Sequence, residues 1–189
     1  YLGKYKVTQE QWQAVMGDNP SSFKGPKNPV ETVSWDDCQK FLEKLNKKVG
    51  GGRFSLPTEA QWEYASGTGR NTMYYFGNDE SQLAEYAWYE KNSGDKTHPV
   101  GAKKPNAWGL YDGYGNVCEW CQDWYHGDYY KESPVDDPAG AKTGSVRVFR
   151  GSSWLSYPWV CRSGYRSGGS PPGYRYDYVG LRVCRAVAE

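Results

Sequence analysis

Every helix signal in this chain of 189 residues falls before residue 68, which leaves nearly two thirds of any fold to strands and loops. Thr8 followed three residues later by Gln11 reads as a capping box, in which each side chain satisfies the other residue's backbone N–H, and Gly17 stops the helix after Met16. Ser34 caps a second helix. Its Cys38, Phe41, Leu42, Leu45 and Val49 fall on one buried face at helical spacing, and Gly50 to Gly52 end it. Thr58 and Gln61 repeat the capping box after Pro57, and that helix carries Trp62 and Ala65 and ends near Gly67. The spacing predicts helices over 8–16, 34–49 and 58–66. Leu2 to Val7 reads as a strand, Arg53 to Leu56 as a short extended segment, and Val146 to Arg150 and Val179 to Ala186 as two further strands. From Thr68 to Lys142 there is little periodicity and many turn signals, such as Asn92-Ser93-Gly94 and Lys104-Pro105-Asn106. Irregular segments this long are usually functional or pinned by a metal.

A chain of this size makes one well-buried domain, here residues 1–189. Nine Trp and 17 Tyr, against few long apolar segments, point to a loop-rich α+β fold with a core built from Trp side chains. Lys plus Arg is 23 and Asp plus Glu is 22, a balance that argues against a nucleic-acid binder driven by phosphate neutralisation. No apolar run approaches the ~18–20 residues that span a bilayer. No stretch reads as a signal peptide, and the chain begins at Tyr1 without a Met, so targeting is not legible. The five cysteines are an odd number and cannot all pair internally. Cys118 and Cys121 form a C-x-x-C, which alone cannot complete a tetrahedral zinc site. Cys161 and Cys184 suit either a bridge in an oxidising compartment or two buried thiols.

The run from Leu155 to Tyr178 has a different character. Of its 24 residues 13 are Tyr, Ser or Gly, with tyrosines at 157, 165, 174, 176 and 178. No Lys follows Lys142, and no Glu occurs between Glu132 and Glu189. Antibody paratopes use this chemistry, Tyr giving wide amphipathic contact at low entropic cost while Ser and Gly adapt around it. The plainer reading is a Gly-rich surface loop that carries tyrosines, but a loop with no partner has little reason to expose so much aromatic surface.

Several segments together resemble a known family. They include Tyr5-Lys6-Val7-Thr8-Gln9-Glu10-Gln11-Trp12, Phe54-Ser55-Leu56-Pro57-Thr58-Glu59-Ala60-Gln61-Trp62-Glu63-Tyr64-Ala65, Gly115-Asn116-Val117-Cys118-Glu119-Trp120, Arg150-Gly151-Ser152-Ser153-Trp154 and Gly180-Leu181-Arg182. The chain resembles the formylglycine-generating enzyme (sulfatase-modifying factor) domain along nearly its whole length. The resemblance implies an elaborated C-type-lectin-like fold. Members with oxidase activity hold copper with two cysteines five residues apart, positions that fall here on Ser156 and Cys161. A hard serine hydroxyl is a poor substitute for a soft thiolate toward Cu(I), so the resemblance does not carry the oxidase activity, and Cys161 reads as structural. The resemblance also implies a structural calcium at Asn116 and Glu119, with the alternative of an Asx-turn and a local ion pair.

Within that family the chain resembles the variable proteins of diversity-generating retroelements. These systems rewrite adenines in a short C-terminal segment, so Asn codons scatter into a set that lacks Lys, Glu, Gln, Met and Trp. The resemblance implies a variable region over 150–185, with candidate ligand-binding positions Leu155, Ser156, Tyr157, Val160, Tyr165, Ser167, Gly168, Gly169, Ser170, Gly173, Tyr174, Tyr176, Asp177 and Tyr178. Trp154, Cys161, Arg162, Arg166, Arg175 and Gly180 read as fixed scaffold between them. The expectation is a non-enzymatic receptor-like domain without a catalytic cofactor. It would act at a cell surface or on a virion, and bind a protein or carbohydrate on another surface. A copper oxidase and an undiversified structural domain are the alternatives. The five tyrosines should project together into solvent, with Trp154 and Trp159 buried beneath them.

Overall fold

The structure is a computed structural model that describes residues 1–51 and 53–186. The three helices stand where their caps place them. Helix α1 (Gln9–Met16) opens on the reciprocal Thr8–Gln11 box, with bonds of 3.3 and 3.0 Å, and closes at Gly17 with φ 93°. Helix α2 (Trp35–Lys48) opens on a second box in which Asp37 is the partner of Ser34, both bonds being 3.0 Å. Gly50 and Gly51 then turn the chain back onto the carbonyls of Lys47 and Asn46, while Gly52, the third glycine of that stop, lies outside the described residues. Strand β1 (Phe54–Ser55) leads to α3 (Glu59–Gly67), which opens on the Thr58–Gln61 box and closes on Thr68 in the left-handed region.

The central strand is one the sequence hides. Strand β2 (Cys118–Trp124) pairs antiparallel with β3 (Arg147–Arg150) and parallel with β4 (Val179–Gly180), giving the order β3-β2-β4. Its first four residues are all buried, so Cys-Glu-Trp-Cys shows no alternation of polar and apolar positions. Two short helices, α4 (Leu83–Tyr86) and α5 (Tyr129–Glu132), also lie in the stretch read as irregular.

Two expected strands need correction. Leu2 to Val7 runs beside the C-terminal segment through Gly3 N–H to Val183 O (2.8 Å) and Val7 N–H to Leu181 O (3.0 Å), but it makes a single bridge, Leu2 with Cys184. The carbonyls of Gly3 and Lys4 go to the Arg182 guanidinium instead of to a ladder partner. The stretch 179–186 breaks into β4 and β5 (Cys184–Arg185), because β4 pairs with β2 while β5 pairs antiparallel with β1 in a separate two-stranded sheet.

Trp side chains anchor the core as composition suggests. Trp12 stacks on Phe41 at 5.0 Å within a cluster that includes Val30, Val33, Leu42, Trp120 and Leu181, and the buried Trp120 donates to Val33 O at 3.0 Å. Trp62 packs with Cys121 and Val148. A second cluster is built from tyrosines instead: Tyr74, Tyr75, Tyr89 and Tyr114 bury around Leu83, Ala87 and Cys161. Tyr114 OH accepts from Tyr75 N–H and meets the Ser163 hydroxyl, whereas the Tyr75 hydroxyl is buried without a partner. All five thiols are free. Of the two readings of Cys161 and Cys184 the bridge fails, since Cys161 lies in the tyrosine cluster and Cys184 lies on β5 against Gln61, and of the two thiols only Cys161 is fully buried. Cys118 and Cys121, three apart on a strand, leave from opposite faces and enter different clusters.

Candidate functional site

Glu119 is the second residue of β2, fully buried, and four donors surround its carboxylate. Lys6 Nζ lies at 2.6 Å, Trp62 Nε1 at 2.9 Å, and Arg182 donates through Nε at 3.0 Å and through a terminal nitrogen at 2.9 Å. Burial alone would push its pKa up, but Arg182 and Lys6 overcome that and hold it at about 2. Asn116, with φ 64°, exchanges two hydrogen bonds with the backbone of His98, and its carbonyl accepts from Trp154 N–H. The two residues do not fit the calcium ion that the resemblance implies. The Glu119 carboxylate is saturated, its neighbours are cations, and both polar ends of the Asn116 amide are spent on a loop. Among the described residues no cluster of three or more His, Cys, Asp or Glu is arranged to hold a metal. Since a ligand stabilises only what it binds, chelation with EDTA is expected to leave the melting temperature unchanged within about 1 °C, as read by differential scanning fluorimetry. A clear downward shift would restore the ion.

The segment after β3 is bolted to this frame at intervals. Arg150, 1% exposed, donates to Glu59 (2.9 Å), to Glu63 and to Ser163 O (2.8 Å). Arg166 grips both oxygens of Glu59 at 2.8 and 3.0 Å, and Arg175 grips both of Asp37 at 2.6 and 3.0 Å. Ser170 and Arg147 exchange two backbone hydrogen bonds of 3.0 and 2.7 Å. Tyr176 O accepts from Thr32 N–H, and Tyr178 O accepts from Cys118 N–H. Gly180 is where the chain passes closest to Val30, whose carbonyl would lie 2.2 Å from any added Cβ. The arginines and glycine read as scaffold are thus placed as scaffold. Their pairing with Glu59, Glu63 and Asp37 was not legible, because these carboxylates lie between 87 and 138 residues away along the chain.

Between these fixings, side chains reach solvent. Leu155, Tyr157 and Tyr174 are exposed, as are Gly168 and Gly173, while Val160, Tyr165, Ser167, Tyr176, Asp177 and Tyr178 are half-buried. The aromatic rings form two groups. Tyr157, Trp159 and Tyr165 follow one another at centroid distances of 6.4 and 5.8 Å, and Tyr174, Tyr176 and Tyr178 at 6.3 and 5.0 Å. Trp154 packs edge-on against Phe23, and its indole donates to Asp177 O at 3.1 Å within the second group. A cleft of about 620 Å³ bordered by Glu63, Tyr64, Arg70 and Tyr130 opens beside Ser163 and Gly164.

Several expected positions are not free. Ser156 is buried, its hydroxyl accepting from Ser153 N–H at 2.9 Å. Ser170 is buried and its hydroxyl meets Tyr176 OH at 2.8 Å. Gly169 has no room for a side chain, since a Cβ would lie 1.8 Å from Arg147 O. Tyr176 and Tyr178 lean on the main core, so the five tyrosines do not all project into solvent. Trp159, expected to be buried, is 57% exposed, because the turn Pro158–Val160 turns Pro158 inward in its place. Trp154 is half-buried.

The copper pair does not fit either. The Ser156 hydroxyl is engaged locally, and burial pushes the Cys161 thiol up to about 12, where it stays protonated and donates to Tyr157 O at 3.6 Å. A soft metal needs thiolates.

Three helices packed around a small three-stranded sheet, with most of the chain in pinned loops, define an α+β domain of C-type-lectin type. The chain belongs to the family of the sulfatase-modifying factor enzyme 1-like domain, which matches residues 1–187. It is 32% identical over 235 residues to the chaperone protein LppX of Paenibacillus barcinonensis, covering 98% of this chain and 80% of LppX. It is 34% identical over 180 residues to the formylglycine-generating enzyme of Streptomyces coelicolor, covering 87% of this chain and 55% of that enzyme, so it spans about half of its length. Among solved structures, Treponema denticola variable protein 1 superposes with a TM-score of 0.88 at 36% identity, over 98% of this chain and 84% of that one. The Major Tropism Determinant U1 variant shares the fold alone, at 13% identity and a TM-score of 0.55 over 97% of this chain and 50% of that one. Among the described residues no helix is long and apolar enough to cross a membrane.

Proposed function

We propose that this chain is a non-enzymatic ligand-binding domain, a variable protein of a diversity-generating retroelement that meets its partner through the surface of residues 155–178. The observation that carries the reading is the contrast within that segment. Its backbone is fixed by Arg150, Arg166, Arg175 and the Arg147–Ser170 bridge, while Leu155, Tyr157 and Tyr174 stand in solvent between the fixings. A frame held from outside the loop lowers the ordering cost of binding and lets exposed side chains change without disturbing the fold. The likeness to the Treponema denticola variable protein supports the same reading. The partner is a molecule displayed on another surface, and the domain itself acts outside the cell or on a virion.

Exchanging Leu155, Tyr157, Val160, Tyr165 and Tyr174 together for Ser or Asn is the test. Stability should change by no more than about 0.5 kcal/mol per site at the exposed Leu155, Tyr157 and Tyr174 and by about 1 kcal/mol at the half-buried Val160 and Tyr165, while partner choice changes completely. Cooperative loss of folding would sink the proposal. So would turnover of a sulfatase-type cysteine peptide by the purified protein supplied with Cu(I), which would return the chain to the oxidases. In the genome of origin, the reading expects an adenine-rich copy of the codons for 150–185 beside a reverse transcriptase.

A further inference from the structure

The cleft of about 620 Å³ borders the segment 155–178 but shares only Ser163 and Gly164 with it, and neither is a candidate binding position. Its size falls within the about 300–1,000 Å³ typical of small-ligand sites. Helix α3 supplies one wall, because Ala60, Glu63, Tyr64 and Gly67 follow one another at the i, i+3, i+4, i+7 spacing of a single helix face. The small residues at the two ends of that stripe leave the space open. Tyr130 of α5 borders the cleft as well. Tyr64 and Tyr130 are 65 and 56% exposed, yet both are braced. Tyr64 packs against Trp108 with centroids 5.0 Å apart, and the Arg166 guanidinium, clasped by Glu59, lies 5.0 Å from the Tyr130 ring centre. Rings held in this way offer a partner flat surface at little ordering cost.

The polar groups beside the rings set the class of ligand. Glu63 gives Oε2 to Arg150, which leaves Oε1 as an acceptor with no protein partner among the described residues. Arg70 and Asn71 border the cleft, are exposed, and have side chains that bond to no described residue. A guanidinium and a carboxylate thus share the site, so a ligand charge of either sign would meet its like. A neutral ligand escapes that repulsion, and hydroxyl groups, which both donate and accept, match the mixture of amide, carboxylate and guanidinium. The rings add a second requirement. The face of an aromatic ring carries the negative part of its quadrupole and favours polarised C–H groups laid against it. A pyranose meets both conditions, with hydroxyls around its edge and C–H groups on its faces.

We propose that this cleft is a second ligand site, which takes a short neutral saccharide with its C–H faces on Tyr64 and Tyr130 and its hydroxyls on Glu63, Arg70 and Asn71. The site does not depend on the variable-protein reading. Saturation-transfer NMR of the whole chain with cellobiose, maltose, lactose and diacetylchitobiose tests it, with tetramethylammonium, acetate and adenosine as the cationic, anionic and flat aromatic alternatives. At least one disaccharide should receive saturation, most strongly at its ring C–H protons, and the three alternatives should receive none. Tyr64→Ala and Tyr130→Ala should each weaken that binding about tenfold, as for the loss of one stacked ring. Both tyrosines are exposed, so the melting temperature of each variant should stay within about 2 °C of the wild type, which keeps a folding effect apart from a binding one. Tyr157→Ser should leave the binding unchanged. No transfer to any of the disaccharides overturns the site. Transfer that survives Tyr64→Ala and Tyr130→Ala but is lost in Tyr157→Ser places the sugar on the segment 155–178 and overturns it as well. Transfer to tetramethylammonium, acetate or adenosine in place of the sugars, abolished by Tyr64→Ala, overturns the ligand class.

Discussion

Glu119→Gln is expected to cost about 3–5 kcal/mol, enough to unfold much of the protein at 37 °C, although the substitution keeps the shape of the side chain and removes no contact area. The reason lies in what stays behind. Lys6 and Arg182, at most 2% exposed, would share the interior with only Asp112 to offset two positive charges. Lys6 is already pushed below its usual value by burial, so losing its closest counter-ion turns a strained cation into an uncompensated one. Lys6→Met should cost less, because burial already raises the pKa of Asp112 and a proton taken up there relieves the leftover negative charge. Chemical denaturation of the three proteins at pH 7 checks the order. The pH dependence follows from the sign of the Glu119 shift. Its folded value, about 2, is depressed from the ordinary 4.5. The stabilisation is therefore present above pH 4.5 and is lost as the pH falls from there toward 2. In Glu119→Gln that acid-side slope should be gone, and the gap to the wild type should narrow across the same window. Equal stabilities at pH 7 would mean that the cluster does not hold the sheet together.

The same cluster shows what a sequence can and cannot disclose. Helix starts are local: Thr8 with Gln11 and Thr58 with Gln61 lie three residues apart, and their bonds form as the spacing says. Even Ser34 with Asp37 obeys the rule, with a shorter partner side chain. Strand β2 was not legible because burial on both faces removes the alternation by which a strand is recognised, and because Glu119 places a charge where an apolar residue is expected. Its partners Lys6 and Arg182 lie 113 and 63 residues away, and only the fold brings them to it. The Gly-Asn-x-x-Glu-Trp motif marked an important place, but its Glu119 faces the chain's own cations Lys6 and Arg182 and does not fit the ion the motif suggested. The Tyr-rich segment was legible as a whole from composition. Its division into free and fixed positions was not, because a Ser turned inward and a Ser facing water have the same letter.

That division makes a sharp claim about two adjacent glycines. Gly168→Ala is expected to leave stability within about 0.5 kcal/mol of the wild type, and Gly169→Ala to cost about 3 kcal/mol or more. No other group approaches a Cβ built on Gly168 within 4 Å. A Cβ on Gly169 would meet Arg147 O at 1.8 Å and Arg147 C at 2.5 Å, and both are backbone atoms that no rotamer change can move aside. Relief requires the loop to lift from β3. Lifting breaks the paired bonds between Ser170 and Arg147, at roughly 1 kcal/mol each, and disturbs the Arg147 guanidinium, which lies 3.8 Å from the Trp35 ring centre and 3.4 Å from that of Trp124. For a chain of this length the loss corresponds to a fall in melting temperature of about 6–12 °C, within easy reach of calorimetry. The consequence for function is direct. A surface can be rewritten only where a side chain can be added without moving the frame, so 168 is open to exchange and 169 is not, although nothing in the composition of the segment separates them. If both alanine variants melt with the wild type, the segment is a loose loop, and the fixed frame on which the proposed binding surface depends does not exist.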